Sequence, residues 1–186
     1  SLLASQAGRL RGRIELDKDT PDYEQTVDLF TEAIRKATPL AGSRSDNVRS
    51  VAQQVLLDAH LGTAQAIAQG TWQQKNRVIP KWISRANSIV EKIDRKDPSR
   101  DRLELDLTCG VLAVAAGSAN AIEAVPWVKR LLAIREKMND TVTDPWRRRQ
   151  IDWQVGCGLN DALEAARKRG DAEDMLDNAT LTVAYL

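Results

Sequence analysis

The sequence is poor in the residues that build strands and aromatic cores, with one Phe and two Tyr in 186 residues. Alternation of apolar and polar residues, the mark of a half-buried strand, is hard to find, which points to helices. There is one histidine, His60, and there are two cysteines, Cys109 and Cys157. His60 has no second histidine, no neighbouring cysteine and no acidic cluster beside it, so neither a metal nor a cofactor is expected. A Gly-rich phosphate loop, a Gly-x-Ser-x-Gly elbow and clustered titratable groups are also lacking, so the chain is not expected to be an enzyme. The net charge of +1 exerts no global pull toward nucleic acid or an anionic membrane. No apolar run of about 18 residues occurs, so no membrane span is expected. The opening Ser1-Leu2-Leu3-Ala4 lacks the charged and apolar regions of a signal peptide. It also lacks an initiator Met, and both ends fall within helical patterns, so a fragment of a longer protein is expected.

What the sequence does have is a period. Gly62, Gly110 and Gly158 are spaced 48 residues apart, and Cys109-Gly110 recurs as Cys157-Gly158. Asp97-Pro98-Ser99-Arg100-Asp101-Arg102 recurs as Asp144-Pro145-Trp146-Arg147-Arg148-Arg149, and Ile79-Pro80-Lys81-Trp82 as Val125-Pro126-Trp127. Spacings of 46 to 48 residues that recur for Gly, Pro and Cys together mark a repeat array.

Taken in order, Leu3, Ala7, Leu10 and Ile14 form one helical stripe ending near Asp17, and are expected to face the core. Pro21-Asp22 opens a second helix with Tyr23, Val27, Phe30, Ala33, Ile34 and Ala37. Pro39 to Ser45 is the longest irregular connection. Ser45 or Asp46 caps a third helix that stops at Gly70. Pro80 removes a backbone bond, so the fourth helix is expected to start near Ile79. Asp97-Pro98 and Asp144-Pro145 read as caps with Pro in the first turn, opening the fifth and seventh helices. Gly117 and Gly170 end them, and the sixth and eighth run back, the eighth to an apolar Leu186. Val111 to Ala116 is apolar nearly all round, so that helix must be covered on every side. A lone hairpin has two broad apolar faces and one partner, so stacking is needed to bury both.

These residues resemble the tetratricopeptide repeat family. Gly62, Gly110 and Gly158 resemble the small residue in the first helix of each repeat. Tyr23, Thr26, Phe30 and Ala33 resemble the second-helix pattern, Gly170-Asp171-Ala172 the turn between helices, and Asp97-Pro98 and Asp144-Pro145 the inter-repeat proline. The likeness covers most of the chain with a period of 48 in place of 34; an armadillo- or HEAT-like stacking is the physical alternative. It implies an all-α superhelix or solenoid of four antiparallel hairpins, eight helices, forming a single helical-repeat domain over residues 1–186. If the first helices line a groove, as that family implies, the ligand-facing positions are Glu104, Leu107 and Val111 near Gly110, and Asp152 and Leu159 near Gly158. These are mostly apolar, which suits an amphipathic helix, a peptide or a neighbouring domain of the same polypeptide.

Arg147-Arg148-Arg149 is the densest local charge, either a binding patch or a solvated face with Arg148 paired to Asp152 at i, i+4. Arg9, Arg11 and Arg13 spread around their helix. Trp82 and Trp127 sit at near-equivalent positions and are expected in the core, whereas Trp72, Trp146 and Trp153 could stack on a base or anchor a peptide. The two cysteines, one repeat apart, exceed the roughly 7 Å that a disulfide spans between Cα atoms, so buried free thiols and a reducing, cytoplasmic setting are expected. The reading that follows is a non-catalytic protein–protein interaction scaffold of a signalling or regulatory protein. Its alternative is a nucleic-acid-binding repeat that uses Arg147 to Arg149.

Overall fold

The computed structural model describes residues 1–185, and these are helical without any strand. The expectation about Leu186 lies outside the described residues. Eight α-helices follow one another: α1 (Leu2–Leu16), α2 (Tyr23–Ala37), α3 (Asp46–Gln69), α4 (Lys75–Glu91), α5 (Arg100–Gly117), α6 (Val125–Thr141), α7 (Pro145–Arg169) and α8 (Ala172–Tyr185). The connection expected to be irregular after α2 holds a 3-10 turn, Thr38–Leu40. The chain forms two compact units, residues 1–103 and 104–186, divided within α5.

Local chemistry sets the helix ends. The Asp22 side chain accepts from Gln25 N, and Asp144 from Trp146 N with Pro145 in the first turn. Each satisfies an amide that the helix leaves without a partner. Gly170 ends α7 in the left-handed region at φ 72°, and Asp171 N reaches back to Ala166 O at 3.1 Å. That geometry suits a residue without Cβ. Two starts differ from expectation. α5 begins at Arg100, because Asp97 Oδ1 accepts from Ser99 N and Ser99 Oγ and closes a turn before the helix. α4 begins at Lys75 and carries Pro80 inside. Its first turn is held independently of the proline: Arg77 N and Val78 N donate to Gln74 O, and Lys75 Nζ donates to Ala68 O at 3.1 Å.

In the first unit, α1 and α2 are antiparallel, with Gly8 against Ala33 and Gly12 against Phe30. α3 lies beside α1 and runs parallel to it. Arg9 donates to Asp58, and Arg13 to Asp58 and Gln65, across sequence separations of 49, 45 and 52. Phe30 is fully buried among Ala33, Ala37, Val55, Leu56 and Ala59. An added Cβ would come within 2.8 Å of its ring at Gly12 and 2.3 Å at Gly62, so both glycines are needed to admit the phenyl. This packing overturns the expected burial of the α1 stripe. Leu3, Leu10 and Ile14 are 78%, 49% and 65% exposed, while Ser5, Gly12, Glu15 and Leu16 are buried. The small face of α1 comes closest to α2 and α3 and takes the inside.

In the second unit, α5 and α7 repeat the parallel arrangement. Cys109 Sγ donates to Gln154 O, Gln154 Nε2 to Asp106, and Lys168 Nζ to Ala116 O, across separations of 45, 48 and 52. α6 runs antiparallel to α7, with Arg135 on Asp152 and Leu131 against Gly158. Leu105, Leu112, Leu131, Val155 and Leu159 form the centre of this core. Val111, Leu112, Val114 and Ala115 are fully buried, while Ala113 and Ala116 are only partly covered, so the segment expected to be covered on every side keeps one partly open edge.

Candidate functional site

The six residues singled out as ligand-facing divide into two groups. Leu107, Val111 and Leu159 are fully buried and carry no accessible surface. Their apolar character reflects helix packing, which no sequence pattern separates from an apolar groove. Glu104 is held by Arg130, and Asp152 by Arg135 at 2.9 Å. Arg148 and Asp152 do meet in a shallow hollow, which Arg135, Met138, Asn139 and Ile151 complete. They do not pair there. Arg148 donates to the backbone carbonyls of Val142 and Asn139, which corrects the i, i+4 pairing expected for it. Arg147 stands 3.8 Å from Asp144, and Arg149 lies 5.9 Å over the Trp146 ring. Arg9 and Arg13, expected to diverge, converge on Asp58 because α3 passes alongside.

The tryptophans sort by exposure. Trp82 and Trp127 are half-buried, each capped by an arginine one turn later: Arg85 at 4.8 Å and Arg130 at 5.0 Å from the ring centre. Trp146 and Trp153 on α7 are 78% and 64% exposed. Leu176 and Val183 on α8 are similarly bare. Exposed apolar side chains of this kind are what docking sites offer, and Trp146 and Trp153 are the residues read from the sequence as able to stack on a base or anchor a peptide. The α1 stripe was visible in the periodicity, but periodicity does not say which face is covered.

Titratable groups offer little acid–base chemistry. His60 is buried against Trp82, ring centres 5.4 Å apart, and its Nδ1 has no hydrogen-bond partner among the described residues. Burial, helped by the Arg85 charge, pushes its pKa down to about 4, so the ring is neutral at pH 7. Burial pushes the Cys109 thiol up to about 12 and the Asp161 carboxyl up to about 6. Both cysteines are free, and Cys157 is exposed, contrary to the expectation that both are buried. Among the described residues, no group of three His, Cys, Asp or Glu side chains could hold a metal ion, and no helix is long and apolar enough to cross a membrane.

Comparison with family models, with curated proteins and with solved structures finds no match to this chain. The fold defines a class: an all-α protein of paired helical hairpins, with exposed apolar side chains on α1, α7 and α8.

Proposed function

We propose that this chain is a non-catalytic protein–protein interaction scaffold, a tetratricopeptide-like helical-repeat module of a larger signalling or regulatory protein. The observation that carries the reading is the exposure of Leu3, Leu10 and Ile14 along one face of α1 and of Trp146 and Trp153 along one face of α7. Apolar stripes of this kind fit the apolar side of an amphipathic helix, from a peptide or a neighbouring domain. A cytoplasmic setting belongs to the same proposal and is supported by the two free thiols. The second reading, nucleic-acid binding, draws on the exposed Trp146 beside Arg147 and Arg149.

A titration with a designed Leu/Lys amphipathic peptide and, separately, a single-stranded oligonucleotide tests both, monitored by the indole N–H signals. Saturable shifts of Trp146 and Trp153 with the peptide support the scaffold. Shifts only with the oligonucleotide, weakening steeply with salt, overturn it in favour of the second reading.

A further inference from the structure

We propose that the exposed face of α4 binds the phosphate backbone of a nucleic acid, without regard to base sequence. The site lies within the first unit. It uses neither the α1 stripe nor Trp146 and Arg149, so it stands apart from both readings given above.

The sequence has a gap at this place. Asp and Glu account for 26 residues of the chain, yet none occurs from residue 59 to residue 90. Lys75, Arg77, Lys81 and Arg85 all fall inside that gap. α4 buries Ile79, Ile83, Ala86 and Val90. That leaves Arg77, Lys81 and Arg85 on the opposite side, with Lys92 at the helix end, and all four are exposed. A step of four residues turns a helix by only about 40° and rises about 6 Å, so the four make one stripe about 22 Å long. Among the described residues none of the four has an ion-pair partner, whereas Arg9 and Arg13 share Asp58, Arg35 and Lys36 share Glu32, and Arg130 holds Glu104. Glu91, the carboxylate that α4 does carry, accepts from the Asn87 amide at 2.6 Å. Arg85 lies 4.8 Å over the Trp82 ring, which holds its guanidinium along the helix surface.

The charge pattern selects the occupant. Exposed ion pairs with the scattered carboxylates of a peptide contribute little each, and the stripe offers no apolar surface to add to them. A nucleic acid carries a charge about every 1.7 Å of duplex and releases condensed counterions at each cationic contact, so a bare row of cations is enough to bind it. An anionic bilayer also attracts cations, but none of the exposed large apolar side chains lies on α4, so the stripe has nothing to place among acyl chains. Cations in a single file along one helix match a line of phosphates, which fixes position and reads no base.

Fluorescence anisotropy with a short labelled duplex of mixed sequence, over a series of salt concentrations, tests this. Four phosphate contacts predict a slope of log K against log salt of about −3 to −4. The double variants Arg77→Gln/Lys81→Gln and Arg77→Glu/Lys81→Glu, at exposed sites and checked for helicity by circular dichroism, are expected to bring the slope to about half, with affinity lower by about tenfold or more at low salt. Arg149→Glu, in the other unit, is expected to leave both unchanged. Absence of binding at low salt, or binding that neither double variant weakens, overturns the proposal. Loss of binding in Arg149→Glu with the double variants unaffected overturns it in favour of the Trp146 patch. Binding to phosphatidylserine-containing vesicles without binding to the duplex overturns it in favour of a membrane surface. The amphipathic-peptide titration reports on the docking role separately, so either can fail alone.

Discussion

In the α1–α4 unit, the first and third helices are clamped by charge, Arg9 and Arg13 on Asp58. In the α5–α8 unit, the corresponding helices are joined by the Gln154 amide on Asp106 and a thiol on a backbone carbonyl. The sequence separations bridged are nevertheless nearly the same in the two units. The register is thus set by helix length and close packing, and the polar chemistry across it is interchangeable. The cores differ in a second way. An aromatic ring wedged between two glycines fills the first unit, while Leu131 against Gly158 and the Cys109 sulfur fills the second. A rigid ring tolerates less change around it than a branched aliphatic chain.

The largest effect expected from this contrast is at the ring itself. Phe30→Ala should cost about 3–5 kcal/mol in denaturant unfolding, since a fully buried phenyl leaves a cavity that glycine-lined backbones close poorly. A loss below about 1 kcal/mol would mean that the first unit does not depend on its wedge.

Acid should separate the units by sign. His60 has a folded pKa of about 4 against an ordinary 6.5, so its neutral form favours folding. Its contribution is complete above pH 6.5 and falls as pH drops toward 4, by about 3 kcal/mol in total. Asp161 runs the other way. Its carboxyl is raised from 3.8 to about 6, so its contribution is complete below pH 3.8 and is lost as pH rises through 6. Hydrogen exchange at pH 4.5 and 6.5 should show residues around His60 losing protection on acidification and residues around Asp161 gaining it. His60→Gln should flatten the first trend.

The glycines sharpen the comparison at smaller scale. At Gly62 an added methyl meets the buried Phe30 ring at 2.3 Å, and Gly62→Ala should cost about 1–3 kcal/mol. At Gly158 the nearest atom is the mobile tip of Leu131 at 2.9 Å, and the helix gains from alanine. Gly158→Ala should therefore fall within about 1 kcal/mol of neutral. Equal costs in urea titrations would remove the distinction between the two cores. The smallest effect is expected at Arg148, whose partners are carbonyls at an exposed site: Arg148→Ala should change stability by less than about 1 kcal/mol.

Much of the architecture was legible in the residues. Asp22, Asp144-Pro145, Gly70 and Gly170 announce helix ends through local hydrogen bonding and backbone freedom, and the 48-residue spacing of Gly62, Gly110 and Gly158 announces the repeat. The site was not legible in the same way. Leu107, Val111 and Leu159 have the same apolar character whether they line a groove or a core. Leu3, Leu10 and Ile14 show the same periodicity whether covered or bare.

The sequence by itself determined where helices begin and end and how far apart equivalent positions fall, because caps, prolines and glycines act within one or two turns. Only the tertiary structure decided which face of each helix is inside. That choice depends on which surfaces can approach closely, and on α1 the small side of Ser5, Gly8 and Gly12 came inward at the expense of the leucine stripe.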